Sequence, residues 1–104
     1  GDVLIVRILA ARIDAAAALK FKDALRALAG QASHVVLDLR DVEFVDSSGL
    51  GAIVAVMKLM GSTRRLDLAG LTPTVDKVFR LTRMGTIFTI HDSVDDVPKY
   101  YQAG

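Results

Sequence analysis

No cysteine occurs among the 104 residues, which excludes a disulfide framework and a thiolate metal site. Nothing therefore points to secretion, and a reducing cytoplasm is the expected setting. Charge of one sign is also lacking. Thirteen Lys and Arg against twelve Asp and Glu leave a net charge of +1, which gives no case for nucleic acid or an anionic membrane as partner. Long apolar runs are missing despite a mean hydropathy of +0.39. The longest, Gly49 to Met57, is ended by Lys58 and falls far short of the roughly 20 residues that a membrane span needs. No signal peptide is expected, since Gly1 leads directly into a strand-like segment.

What is present is apolar residue in quantity, 52% of the chain. That is ample for a core, and the length suits one domain, residues 1–104. No repeat, low-complexity tract or linker divides it. Val3 to Leu9 is β-branched and apolar, hence a buried strand. Asp14 stands at a helix N-cap position. Behind it Ala18, Phe21, Leu25 and Leu28 recur at helical spacing until Gly30. Val35 to Leu39 reads as a central strand. Asp41 to Val45 is a bend, and Asp46-Ser47-Ser48-Gly49 opens a helix whose core stripe is Leu50, Ile53, Val54 and Met57 and which Gly61 stops. Leu66 to Leu68 is a third strand. Thr72-Pro73 starts a helix with Val75, Val78, Phe79 and Thr82 on its face, ended by Gly85. Thr86 to Ile90 is a last strand, followed by a weak helical signal from Ser93 to Tyr101 that contains Pro98. Alternating strands and helices predict an α/β domain, a mixed sheet of about four strands with helices packed on it.

The stretch with most chemical content is Val35 to Gly51. It sets two serine hydroxyls where a strand hands over to a helix, beside backbone N–H groups that lack partners and carry partial positive charge. A phosphate is electrostatically favoured there. Asp46 is placed to orient a hydroxyl or to help hold a metal–nucleotide complex brought by a partner, and Gly49 and Gly51 leave the approach uncluttered. The plainer reading is a capping Asp46 or Ser47 with glycines that ease helix–sheet packing. The helix beyond weighs against capping alone: from Ser48 to Met60 its only charge is Lys58, and Ala52, Ala55, Val56 and Leu59 oppose the core stripe. A helix apolar all round is buried on every side or faces a partner. Complete burial is difficult in so small a domain, so an interface beside the serines is expected.

This block resembles the signature of the STAS family (sulfate transporter and anti-sigma factor antagonist), above all its stand-alone bacterial antagonists. Ala11-Arg12-Ile13-Asp14 is similar to the family's Gly-x-Leu-Asp turn, with Ala11 where glycine is usual. Leu66 to Phe79, with Gly-Leu-Thr-Pro and Val-Phe, resembles the third strand and next helix. Leu81-Thr82-Arg83-Met84 and Ile87-Phe88 resemble the ending. The chain begins at what looks like the family's second strand, which leaves the N-terminal edge strand without a counterpart. The resemblance implies an anti-sigma factor antagonist in a partner switch. Unphosphorylated, it would bind an anti-sigma factor that is also a serine-protein kinase; the kinase would phosphorylate Ser47, with Ser48 the alternative; a metal-dependent serine phosphatase would reverse this. Asp46, Ser48, Gly49, Val56 and Leu59 are the expected partner-binding residues. The alternative within the same family is an accessory subunit or domain of a lipid or anion transport system.

Catalysis by the chain itself is not expected. A serine hydrolase needs a base and an orienting acid near its nucleophile, and the nucleophile elbow wants glycine two residues before the serine, where Val45 and Asp46 stand. His34 and His91 read as ordinary surface or strand-edge histidines. Two histidines without a matching carboxylate pattern make a weak metal site, and Gly49-Leu50-Gly51 lacks the lysine and spacing of a phosphate-cradling loop. Neither cofactor nor metal is therefore expected. Arg64-Arg65 reads as a solvated turn, and Asp92, Asp95 and Asp96 as an exposed acidic patch.

Overall fold

A computed structural model describes residues 3–29, 32–61 and 64–97. Val3–Arg7 forms β1, Arg12–Ile13 β2, Ala15–Ala29 α1, His34–Asp38 β3, Phe44–Val45 β4, Ser47–Met60 α2, Arg65–Ala69 β5, Pro73–Leu81 α3 and Ile90–His91 β6. Single 3-10 turns cover Met84–Thr86 and Val94–Asp96. The main sheet has the order β1-β3-β5-β6. All three pairings are parallel, so its described strands are not mixed as expected. The reason lies in the connections: α1, α2 and α3 each carry the chain back between neighbouring strands, and such crossovers yield parallel pairs.

Period-two alternation gives the sheet two unlike faces. Val35 and Leu37 of β3 and Leu66 and Leu68 of β5 join Phe21 and Leu25 of α1, Ile53 and Val56 of α2, and Val75 and Phe79 of α3 in the main core. Phe88 closes this core edge-on to Phe79, with ring centroids 6.3 Å apart. The other face turns His34, Val36, Arg65, Asp67 and Ala69 away from the helices; Val36 and Ala69 pack there with Val97. All five residues of β3 are buried, as befits a strand covered on both sides.

Several boundaries moved. β1 stops at Arg7, although the Ile8 amide still donates to the Asp38 carbonyl. The expected bend at 41–45 contains β4, which pairs in parallel with β2; two residues carry too little periodicity to announce a strand. α3 ends at Leu81, before Gly85, because Arg83 takes the left-handed conformation (φ 59°) and turns the chain. The last strand shrinks to Ile90–His91, since 84–86 coil into a 3-10 turn. The helical signal after Ser93 yields only Val94–Asp96, and its remainder from Pro98 lies outside the described residues, as does Gly30. Gly61 does end α2, at φ 71°, a conformation glycine adopts without a Cβ penalty.

Candidate functional site

The short ladder between β2 and β4 builds the site. Ile13 pairs with Val45, so the next residue of each strand, Asp14 and Asp46, stands at the start of a helix. The two helices thus begin side by side. Asp14 Oδ1 accepts from the Ala17 amide at 3.0 Å, and Asp46 Oδ1 accepts from the Gly49 amide at 2.9 Å. The Asp46 amide donates back to the Ile13 carbonyl at 3.3 Å. Asp46 is therefore a working N-cap, a role in which aspartate leads.

Ser47 and Ser48 occupy the first two positions of α2, and both are exposed. The first intrahelical bond runs from the Leu50 amide to the Asp46 carbonyl, and the cap takes Gly49, so the serine amides keep the orphan donor character of a helix N-terminus. Ser47 follows the β2–β4 ladder. Ser48 opens instead onto a shallow groove of about 410 Å³ between Ala15, Leu19 and Lys22 of α1 and Gly51 and Ala55 of α2.

Two expected contact residues are displaced by the packing. Val56 is only 1% exposed, because α2 turns Gly49, Ala52, Ile53, Val56 and Met60 inward, a continuous stripe at helical spacing. Leu50, Val54 and Met57 flank that stripe half-buried. The apolar excess of α2 is thus largely core. Gly49 is buried as well: a Cβ there would lie 2.1 Å from the Ile13 carbonyl oxygen, so this glycine lets the helix approach β2 and offers no docking surface. Leu59, at 47% exposure, remains outside, and Gly51 has open space around it. Arg12, which no spacing argument singled out, lies exposed with its guanidinium carbon 4.7 Å from the centre of the Phe44 ring. The register that pairs them was invisible without β4.

Both histidines stand at strand ends, as expected, but His34 is buried and His91 half-buried. On the sheet face away from the helices, His34 Nε2 and His91 Nε2 lie 3.0 and 2.9 Å from Asp67 Oδ2, while Arg65 Nε donates to Asp67 Oδ1 at 2.7 Å. His34 and Asp67 are fully buried. Burial by itself pushes the Asp67 carboxyl up, but hydrogen bonds from His91, Arg65 and His34 and the Arg65 charge outweigh it and hold the group below its ordinary value. The alternation of Arg65 and Asp67 within an apolar strand is the signal that would have found this cluster. Both histidines direct Nε2 to Asp67. Arg64 is no solvated turn residue either, since its Nε donates to the Met60 carbonyl at the end of α2. Among the described residues no group of three His, Asp or Glu is placed to hold a metal ion, and no helix is long and apolar enough to cross a membrane.

The model of the STAS domain family matches residues 1–97. The chain belongs to that family. An anti-sigma F factor antagonist of Paenibacillus polymyxa is 31% identical to this STAS domain over 64 residues, 61% of this chain and 55% of the relative; the chain thus spans about half the length of that protein. The crystal structure of an anti-sigma factor antagonist from Mycobacterium paratuberculosis superposes with a TM-score of 0.80 at 26% identity, covering 91% of this chain and 81% of the other. A Bacillus cell fate determinant in its phosphorylated form has the same fold, with a TM-score of 0.65 at 20% identity over 90% of this chain and 86% of its own.

Proposed function

We propose that this STAS domain is a protein-binding module of the anti-sigma factor antagonist type, controlled by phosphorylation at Ser47. Unphosphorylated, it docks on an anti-sigma factor that is also a serine kinase. The kinase transfers phosphate to Ser47, the complex weakens, and a metal-dependent serine phosphatase restores the first state. The observation that carries this reading is the exposed Ser47 at the first position of α2, directly after the capping Asp46. A kinase needs such access to bring its γ-phosphate in line with the hydroxyl. The helix terminus tolerates the product. The partner does not: a phosphoserine adds about −1.5 to −2 charges at neutral pH, beside Asp14 and Asp46. Ser48, Leu59 and the α1–α2 groove form the rest of the docking face. We read residues 1–104 as one domain that acts in the cytoplasm and catalyses nothing itself.

Incubation with the cognate kinase and Mg-ATP, followed by peptide mapping, tests this. Label is expected on Ser47. Ser47→Ala keeps the fold and kinase binding but takes no label, and Ser47→Asp weakens binding in part, since one carboxylate imitates a phosphate incompletely. Label on Ser48 alone moves the site by one residue. No label on either serine with an active kinase bound overturns the reading in favour of a transport-system subunit.

A further inference from the structure

Arg12 lies over Phe44 at the edge of the proposed switch. The two side chains share the solvent side of the β2–β4 ladder, opposite the buried Ile13 and Val45. Phe44 precedes Ser47 by three residues, and with about 3.8 Å between consecutive Cα atoms the two Cα positions are at most about 11 Å apart. The Asp46 amide donates to the Ile13 carbonyl, and Ser47 and Arg12 each stand one residue from that bond, so an arginine side chain and a phosphoserine side chain can extend toward each other across it. The acidic groups nearby are engaged or neutral to the choice: Asp14 and Asp46 hold the caps of α1 and α2, and Glu43 is exposed. An exposed cation–π contact is weak. A guanidinium–phosphate pair is bidentate and charge-assisted, hence stronger.

We propose that Arg12 is the residue through which this domain registers phosphorylation of Ser47: it rests on Phe44 in the unmodified protein and leaves the ring for the phosphate after modification. The inference rests on the reading of Ser47 as phosphoacceptor. It adds a second change to the docking face besides charge. Phe44 loses its cover when Arg12 moves, so a partner meets a different surface and not merely a more negative one. Lys22, which shares the groove with Ser48, is the competing cation.

The test uses the full chain with phosphoserine installed at position 47 during synthesis, so it does not depend on any kinase. The phosphate is titrated by phosphorus NMR in three proteins: parent, Arg12→Gln and Lys22→Gln. A nearby cation favours the dianion, so the second phosphate ionisation is expected about one unit lower in the parent and in Lys22→Gln than in Arg12→Gln. Phe44 ring resonances are expected to shift on phosphorylation in the parent and to stay in Arg12→Gln. Equal titration in parent and Arg12→Gln, with both folded by their amide spectra, overturns the role of Arg12. Dependence on Lys22 overturns it as well. A kinase that labels no Ser47 refutes the Ser47 reading instead, and the two failures stay distinct.

Discussion

Replacing Gly49 with alanine places a methyl group where the Ile13 carbonyl already lies. The added Cβ would sit 2.1 Å from that oxygen and 2.8 Å from Ile13 Cγ2, whereas ordinary contact begins at 3.4 Å. The gap to be opened is 3.4 − 2.1 = 1.3 Å, and the obstacle is backbone that the β2–β4 ladder holds in place. Overpacking of this kind costs about 1–3 kcal/mol, and alanine's better helix propensity returns up to about 1 kcal/mol. A net loss of about 1 kcal/mol is expected, which lowers the melting temperature by about 5 °C in a domain of this size. Two residues on, the same change has the opposite sign. A Cβ at Gly51 meets nothing within 4 Å, so Gly51→Ala keeps the propensity gain and raises stability by up to about 1 kcal/mol. Urea unfolding of parent and both variants, compared at equal slope, provides the assay. Gly49→Ala as stable as the parent refutes the close approach of α2 to β2 on which the site's geometry depends, and Gly51→Ala less stable refutes the open space around Gly51.

Leu59→Asp is expected to weaken partner binding while leaving the circular dichroism melt close to that of the parent. Val56→Asp buries an unpaired charge in the core and is expected to unfold the domain. Asp46→Ala removes the cap of α2 and costs about 1 kcal/mol, measurable by denaturant titration. Acidification tests the buried carboxylate. Asp67 has a folded-state value held below the ordinary 3.8, so the unfolded chain binds the extra proton first; the contribution is fully present above about 3.8 and is lost as pH falls through the lower, folded value. The unfolding midpoint of the parent should therefore drop more steeply below about pH 4 than that of Asp67→Asn, and parallel acid limbs would contradict the assignment.

The sequence made the α/β alternation legible because each helix carries a stripe of period 3.6 and each long strand a short apolar run. Asp46-Ser47 could be read as a strand-to-helix junction for the same reason: cap chemistry is local. What it did not reveal is long-range. β4 has two residues, and only its partner Arg12–Ile13 makes it a strand. The inward stripe of α2 is set by the sheet and α1 together, and in a helix of nearly uniform polarity no pattern distinguishes Val56, which is core, from Leu59, which is not. Gly49 looked like open space and proved to be a contact, since glycine in a sequence does not say which backbone approaches it. The His34–Asp67–His91 cluster joins three strands, and a lone histidine carries no record of the carboxylate it meets.

The ladder of Arg12–Ile13 with Phe44–Val45 has a consequence for how the domain comes together. Its two halves are separated in the chain by the whole of α1 and β3, so the ladder cannot form by local collapse; it must await closure of that loop, whose entropy is lost before any pairing rewards it. The surroundings of the Ser47 hydroxyl depend on that closure. A chain still folding would offer the proposed kinase a serine in an extended segment, without Asp46 in place as a cap. Phosphorylation that demands the assembled corner would thus be withheld from unfinished molecules, and the modification would serve as a certificate of completed folding.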